Sequence, residues 1–387
     1  VSLNIDSKNS KLKFEVIVAY RRIILIPISL NPVDLSGFRV VVLGGTNGIG
    51  LESAKILTQW NASVILTARS EHNGKAAVKY ITSSLSEYCV GKVRYAIVEL
   101  TSFKSVRKFA ASFDGMAIKI LINNAGMITL DSVATEDGIE SMYQVNFLSH
   151  YLLTSLLIPA LERGTPSRIV HTSSLMHWIG SINRERYSKE KKNRNNSMGV
   201  GVYNDVKLMQ VVYSKTLNAK LSGVTSNSVH PGFVQSSLDR NLPPLIAEAA
   251  LWVRSRVART TEEGAATGII VATDPELVGV GGLYFSDHCI NSLCGYKQGG
   301  AYSRVLDAAD SEWLLSTAQV LTDTAQDTAE FKIEGFQTMY SVIKSGDGDE
   351  VKPGSMVTVH ATGIVQQTKT KFWSTRDAGQ QVSYCLY

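Results

Sequence analysis

The sequence is short of cysteine, proline and long apolar runs, and each shortage narrows what the chain is. Its four cysteines, Cys89, Cys289, Cys294 and Cys385, show no paired Cys-x-x-Cys spacing, so no zinc site is readable and a disulfide framework is not expected. That usage fits a reducing compartment inside the cell without separating the cytosol from a mitochondrion, a plastid or the periphery of a membrane. Val1 in place of Met reads as removal of an initiator or targeting peptide, or as an incomplete sequence. Nine prolines against 30 glycines exclude fibrous and Pro-rich disordered classes. Ile23 to Leu30, the longest apolar stretch near the start, contains Pro27 and follows Arg21 and Arg22. It falls well short of the roughly 20 residues that cross a bilayer, so no spanning helix is expected.

Charge is also sparse, at 19% of residues with a net +5. Residues 323–387 carry six basic and eight acidic groups, leaving 33 against 26 in the first 322. That excess is too diffuse for a nucleic-acid surface. Its one concentrated patch is Arg184 to Arg194, six basic and two acidic residues. We read it as a solvated loop, with acidic lipid headgroups or a partner protein as alternatives.

What is present is a 387-residue chain with 44% hydrophobic residues, enough for a large buried core and a prior of two to three domains. From Phe38 onward, short apolar runs alternate with longer segments of helical period, the signature of βα units on a parallel sheet. Strands are expected at Arg39 to Leu43, Ser63 to Ala68, Val93 to Val98, Ile118 to Asn123, Arg168 to Ser173, Thr225 to His230 and Leu283 to Phe285. Helices are expected to begin near Gly48, Gly74, Ser102, Gly138, Val202 and Thr261, with a last one from about Val305 to Leu321. Val40-Val41-Val42-Leu43 and Val64-Ile65-Leu66 are apolar throughout, as strands covered on both faces are. A doubly wound α/β, Rossmann-type sheet of about seven strands is the fold expected. Thr322 to Glu330 reads as a polar linker, and Met356 to Ala361 with the turns at Gly346 to Asp349 and Pro353-Gly354 as a β-rich tail.

Gly44-Gly45-Thr46-Asn47-Gly48-Ile49-Gly50 stands between the first strand and the first helix. Glycines there let the backbone approach a pyrophosphate, whose charge the free N–H groups of the helix end then hold. Arg69, after the second strand, offers a cationic fork where an NAD site usually places a carboxylate, so NADP is the expected cofactor.

Tyr-x-x-x-Lys occurs four times, at Tyr88/Lys92, Tyr187/Lys191, Tyr203/Lys207 and Tyr340/Lys344. Residues i and i+4 share a helix face, which brings the ammonium close to the phenol. Only Tyr203 opens a long amphipathic helix after a strand ending in Thr172-Ser173-Ser174. A tyrosine with an ordinary pKa of about 10 must exchange a proton near neutrality, and Lys207 is expected to lower that pKa. Ser174 is expected to hold the substrate oxygen, and Asn146 to anchor a water relaying protons to Lys207.

Together these residues resemble the short-chain dehydrogenase/reductase family, and more narrowly its retinol dehydrogenase-like branch, over about Leu35 to Leu321. Supporting motifs are Asn123-Asn124-Ala125-Gly126, His230-Pro231-Gly232, Thr261 to Ala265, Gly282 to Ser286, and the 29-residue interval between Ser174 and Tyr203. The resemblance implies cofactor contacts from Gly44, Thr46, Asn47, Gly48, Ile49, Gly50, Arg69, Glu99, Leu100, Asn124, Ala125, Gly126, Tyr203, Lys207, Pro231, Gly232, Val234 and Ser236. It implies catalysis by Asn146, Ser174, Tyr203 and Lys207. Leu43, Glu99 and Ser236 depart from the family's Thr, Asp and Thr; Leu43 removes a hydroxyl that usually ties the glycine loop to the Asn-Asn-Ala-Gly segment.

The tail, from Ser345-Gly346-Asp347-Gly348 to Phe372-Trp373-Ser374, is similar to the first half of an FKBP-type prolyl isomerase. Ala361 and Trp373 replace that family's pocket Tyr and Asp and its second half is absent after Tyr387, so isomerase activity is not expected and the half domain is expected to pack on another surface. The domains expected are an N-terminal extension (1–36), an NADP-binding dehydrogenase domain (37–321), a linker (322–334) and a partial FKBP-like segment (335–387). The expected function is NADP-dependent interconversion of a carbonyl and an alcohol on an apolar substrate, with Leu175, Met176, Trp178, Leu242, Leu245, Ile246 and Trp252 shaping the pocket. The alternative is an accessory or scaffold subunit of a larger assembly, with residues 1–36, the basic loop 184–194 and the tail as candidate partner surfaces.

Overall fold

In a computed structural model of the chain, the described residues are 30–129, 131, 133–187, 199–234, 258–286 and 308–323, with six short strands between 330 and 385. The chain divides into two compact units, Val1–Asp327 and Thr328–Tyr387.

The first unit is built on a parallel sheet of seven strands in the order β3-β2-β1-β4-β5-β6-β7. These are β1 (Arg39–Leu43), β2 (Ser63–Ala68), β3 (Lys92–Ile97), β4 (Ile120–Asn123), β5 (Ser167–Thr172), β6 (Val224–His230) and β7 (Tyr284–Ser286). The helices are α1 (Gly48–Gln59), α2 (Glu71–Ser83), α3 (Phe103–Ala111), α4 (Ser141–Tyr143), α5 (Ser149–Arg163), α6 (Arg184–Tyr187), α7 (Gly199–Asn218), α8 (Thr261–Thr273) and α9 (Ala308–Asp323). A π turn, Gln144–Leu148, joins α4 to α5.

The uninterrupted apolar runs are explained by burial on both sides. Successive strand residues point to opposite faces: Val41, Leu43, Ile65, Leu121 and Ile169 pack with Phe103, Leu153, Val212 and Leu314, whereas Val40, Val42, Val64, Leu66 and Ile122 pack with Ile56, Ala77 and Ile269. A side chain in either layer contributes about 1.5–3 kcal/mol by leaving water.

Several boundaries differ from expectation because a capping side chain sets them. The helix expected at Gly74 begins at Glu71, after Ser70 accepts a hydrogen bond from Asn73 N at 3.3 Å. The one expected at Gly138 begins at Ser141, where Glu140 accepts from Met142 N and Tyr143 N at 3.0 and 2.8 Å. The helix expected at Val202 already runs from Gly199. Thr322, read as linker, is the buried last turn of α9; its carbonyl accepts from Arg107 at 2.8 Å, a cation at the helix's negative end. The expected start of that helix at Val305 lies outside the described residues.

In the second unit the strands pair antiparallel: β8 (Glu330–Lys332) with β9 (Met339–Ser341), β10 (Met356–Val359) with β13 (Val382–Cys385), and β11 (Thr362–Val365) with β12 (Thr370–Ser374). The tail is therefore β structure. Among the described residues no helix is long and apolar enough to cross a membrane.

Candidate active site

Strand order reverses between β1 and β4, which pair directly with Leu43 opposite Asn123. The crevice at the carboxyl ends of such strands is where open α/β sheets bind ligands, and both the glycine loop and Asn124-Ala125-Gly126 open into it. Gly44 adopts φ +77°, and a Cβ there would sit 2.7 Å from Ala125 Cα. At Gly50 a Cβ would sit 2.2 Å from Gly44 O and 2.6 Å from Asn124 Nδ2. The loop is thus folded tightly on itself and on the β4 turn. Gly44 N donates to Thr67 Oγ1 at 2.8 Å, and Asn124 Nδ2 donates to Gly44 O at 3.3 Å. The Asn124 bond supplies the tie to the β4 turn that Leu43, fully buried, does not, and the Thr67 bond ties the loop to β2. Asn47 is exposed and caps α1 by accepting from Gly48 N at 2.7 Å, with Thr46 half-buried before it.

Around this crevice stand the other residues of the expected cofactor set. Arg69 is exposed just beyond β2. Glu71, the first carboxylate after it, pairs with Lys75 at 2.8 Å. Glu99 accepts from Thr101 N at 3.1 Å, and the carbonyl of buried Leu100 accepts from Ser149 at 2.6 Å. The Pro231-Gly232 turn leads to Val234, which bridges to Arg259. A Cβ on Gly264 would touch both Val234 and Ile49, at 2.6 and 3.3 Å, so this turn and the start of α1 meet at α8. Ser236 lies outside the described residues, as do Leu242, Leu245, Ile246 and Trp252.

Two of the four expected catalytic residues meet beside Gly126, where a Cβ would be 3.6 Å from Asn146 Oδ1 and 3.9 Å from Lys207 Nζ. Asn146 lies in the π turn and is locked by a pair of bonds with Met127, accepting from its N at 2.8 Å and donating to its O at 2.9 Å. Tyr203 and Lys207 share one face of α7, with Nζ 5.6 Å from the phenol ring centre. Ser173 Oγ donates to Lys207 O at 2.8 Å, pinning the end of β5 to α7. The next residue, Ser174, caps the short 3-10 turn Leu175–Ile179, its hydroxyl accepting from Met176 N at 3.2 Å.

Burial governs the protonation of this pair. It pushes the Tyr203 phenol up to about 12, partly offset by the Ser174 hydroxyl, and draws the Lys207 ammonium down to about 7. The expectation that Lys207 lowers the tyrosine's pKa is not met in the protein alone: withdrawing the phenol from water outweighs an ammonium that is itself desolvated. A side chain that the sequence did not single out links Lys207 to Asn146. Gln210, one turn after Lys207, accepts from Lys207 Nζ at 3.1 Å and donates to Asn146 O at 2.7 Å, while Nζ also donates to Thr172 O at 2.7 Å.

Sequence reasoning missed Gln210, although its i+3 spacing from Lys207 places both on one helix face. It also missed Asp205, which lies within the Tyr-x-x-x-Lys motif. That buried carboxylate accepts from Ser181 N at 2.7 Å, Arg186 at 2.6 Å and Tyr187 OH at 2.8 Å. Arg184 pairs with Asp310 at 2.8 Å. The basic segment expected as a solvated loop therefore begins as a short helix whose arginines are paired; residues 188–194 lie outside the described residues.

The sheet, with a glycine turn and a capped helix end at its switch point, defines a dinucleotide-binding protein of the Rossmann type. The chain belongs to the short chain dehydrogenase family, whose model matches residues 39–244. It is 37% identical over 265 residues to a WW domain-containing oxidoreductase of Gallus gallus, a match covering 66% of this chain and 63% of that relative. With retinol dehydrogenase 11 of Homo sapiens it shares 35% identity, covering 69% of this chain and 82% of the relative. With polyprenol dehydrogenase of Danio rerio the figures are 35%, 65% and 78%. A crystal structure from Mycobacterium paratuberculosis superposes with a TM-score of 0.58 at 26% identity, covering 76% of this chain and 96% of that one.

Proposed function

We propose that the protein is an NADP-dependent oxidoreductase that interconverts a carbonyl and an alcohol on an apolar substrate. The observation that carries this reading is Tyr203 and Lys207 on one face of α7, Nζ 5.6 Å from the phenol ring centre, with Lys207 and Asn146 beside Gly126 at the glycine crevice. The residues fit the cofactor: a side chain at Gly44 would strike Ala125 and one at Gly50 the carbonyl of Gly44, and α1 presents a capped amino end to a pyrophosphate. Arg69 would grip the 2′-phosphate, since Glu71 is engaged with Lys75 and offers no carboxylate to a ribose.

The bound cofactor supplies or accepts the hydride. In the reducing direction Ser174 orients the carbonyl oxygen and Tyr203 gives it a proton, which burial holds on the phenol until needed. Lys207 stabilises the tyrosinate that results. Apolar Leu175, Trp178 and Ile179 follow Ser174 in the chain and Phe233 follows Gly232, all of them exposed, which suits an apolar substrate; retinol and polyprenol dehydrogenases are among the relatives. On the Ser345–Gly348 and Phe372–Ser374 motifs, residues 335–387 form a partial FKBP-like segment after a dehydrogenase domain of residues 37–321.

Fluorescence titration with NADPH and NADH, followed by turnover with retinal, a fatty aldehyde, a steroid ketone and a quinone, tests the reading. NADPH should bind at least about tenfold tighter, a preference erased by Arg69→Ala, because a charge-assisted bond contributes about 1.5–3 kcal/mol. Tight NADPH binding with no turnover of any of the four would support the scaffold role instead.

A further inference from the structure

We propose that Gln210 is a positioning residue for the proton-transfer pair, clamping the Lys207 ammonium to the main-chain carbonyl of Asn146 and so setting where Nζ lies and how firmly it keeps its proton. The inference rests on the reading of Tyr203 as proton donor. Gln210 is 1% exposed, and both ends of its amide are engaged. Oε1 accepts from Lys207 Nζ at 3.1 Å, and Nε2 donates to Asn146 O at 2.7 Å and lies 3.4 Å from His150 Nδ1. The partners fix the amide's orientation: an ammonium can only donate and a peptide carbonyl can only accept, so a flipped side chain would oppose like groups at both ends.

A carboxamide does not ionise in the working range, so Gln210 holds the lysine without carrying protons. Its Nε2 meanwhile ties the lysine's position to the π turn through Asn146 O. Its carbonyl dipole favours the charged form of an ammonium that burial disfavours. The groups around Nζ leave this effect legible. Tyr203, from the same helix, has its pKa raised to about 12. His150, from α5, and His171, from β5, are both held well below neutrality, His171 at about 3. Asp205, also on α7, is committed to Arg186 at 2.6 Å. A titration near pH 7 in this cluster therefore belongs to Lys207.

The test is NMR of the full chain with lysine labelled by carbon-13 at Cε, the Lys207 signal being identified by its loss in Lys207→Met. Gln210→Glu, which preserves shape and puts a carboxylate against the ammonium, should raise the Lys207 midpoint by about one pH unit or more. Gln210→Leu removes the acceptor and should lower it by about a unit. Gln210→Asn, too short to reach both partners, should move it the same way if Leu prevents folding. Where turnover is measurable, the pH profile of kcat should move with the midpoint. A folded Gln210→Glu protein whose Lys207 midpoint is unchanged would overturn the proposal. The NMR readout needs no substrate: an inactive wild type whose Lys207 still responds to Gln210 would refute the oxidoreductase reading and leave the clamp intact.

Discussion

Lys207 and Tyr203 are displaced in opposite directions by one cause. Burial penalises whichever form is charged, so the ammonium falls to about 7 while the phenol rises to about 12. Near neutrality the tyrosine therefore stays protonated, poised to donate, and the lysine is the group that titrates. The same physics acts on His171, fully buried with its pKa held at about 3. Because that pKa is depressed below the unfolded value, His171 contributes stability that is complete above about pH 6.5 and is lost as pH falls toward 3. Urea unfolding measured at pH 7.5 and 4.5 should show a loss of about 2–3 kcal/mol from this residue, largely absent in His171→Asn; an equal acid loss in the variant would contradict the assignment. Tyr203 was legible in the sequence because context separated it from the other three Tyr-x-x-x-Lys pairs. The structure gives the reason in two of them: Tyr88 is 84% exposed, and the Tyr187 hydroxyl is bound to Asp205. Gln210 was not legible because its role depends on the Asn146 carbonyl, which only the π turn and the β4 turn bring alongside.

The strands were readable almost to the residue; in β1 and β2 burial on both faces leaves an unbroken apolar run. Helix starts were less readable: a capping side chain such as Ser70 or Glu140 sets them, and the notable glycine or valine nearby does not. The glycine loop sits between these cases. Its place after β1 was clear from sequence, but its tie through Thr67 requires β2 beside β1 and is a property of the sheet. Glycines in this fold consequently differ in what they tolerate. At Gly50 a Cβ would strike Gly44 O at 2.2 Å, whereas at Gly268 in α8 it would meet nothing within 4 Å. Gly50→Ala should weaken NADPH binding by more than about tenfold and lower Tm. Gly268→Ala should raise stability by about 0.5–1 kcal/mol, the helix advantage of alanine over glycine. Isothermal titration and thermal melts of both variants check the contrast; equal behaviour would contradict a loop closed by backbone contact.

At the scale of the whole molecule, the chain combines a dehydrogenase-type unit with a second unit of short antiparallel strands, Thr328–Tyr387. The described residues of the candidate site, from Gly44 to Arg259, all lie within the first unit. The tail's motifs announced β structure, but its pocket residues already departed from the family they resemble. Nothing in that composition predicted how its strands pair, because pairing in short antiparallel segments depends on turns and register more than on hydrophobic pattern. The central claim is chemical and concerns one atom, the Tyr203 hydroxyl oxygen. Its most direct test is single-turnover reduction of retinal by the NADPH-loaded protein, comparing wild type with Tyr203→Phe and measuring NADPH affinity on the same samples. Loss of a general acid should slow the step by about 10²–10⁴-fold while leaving NADPH affinity within about threefold; equal rates in the two proteins would contradict the account.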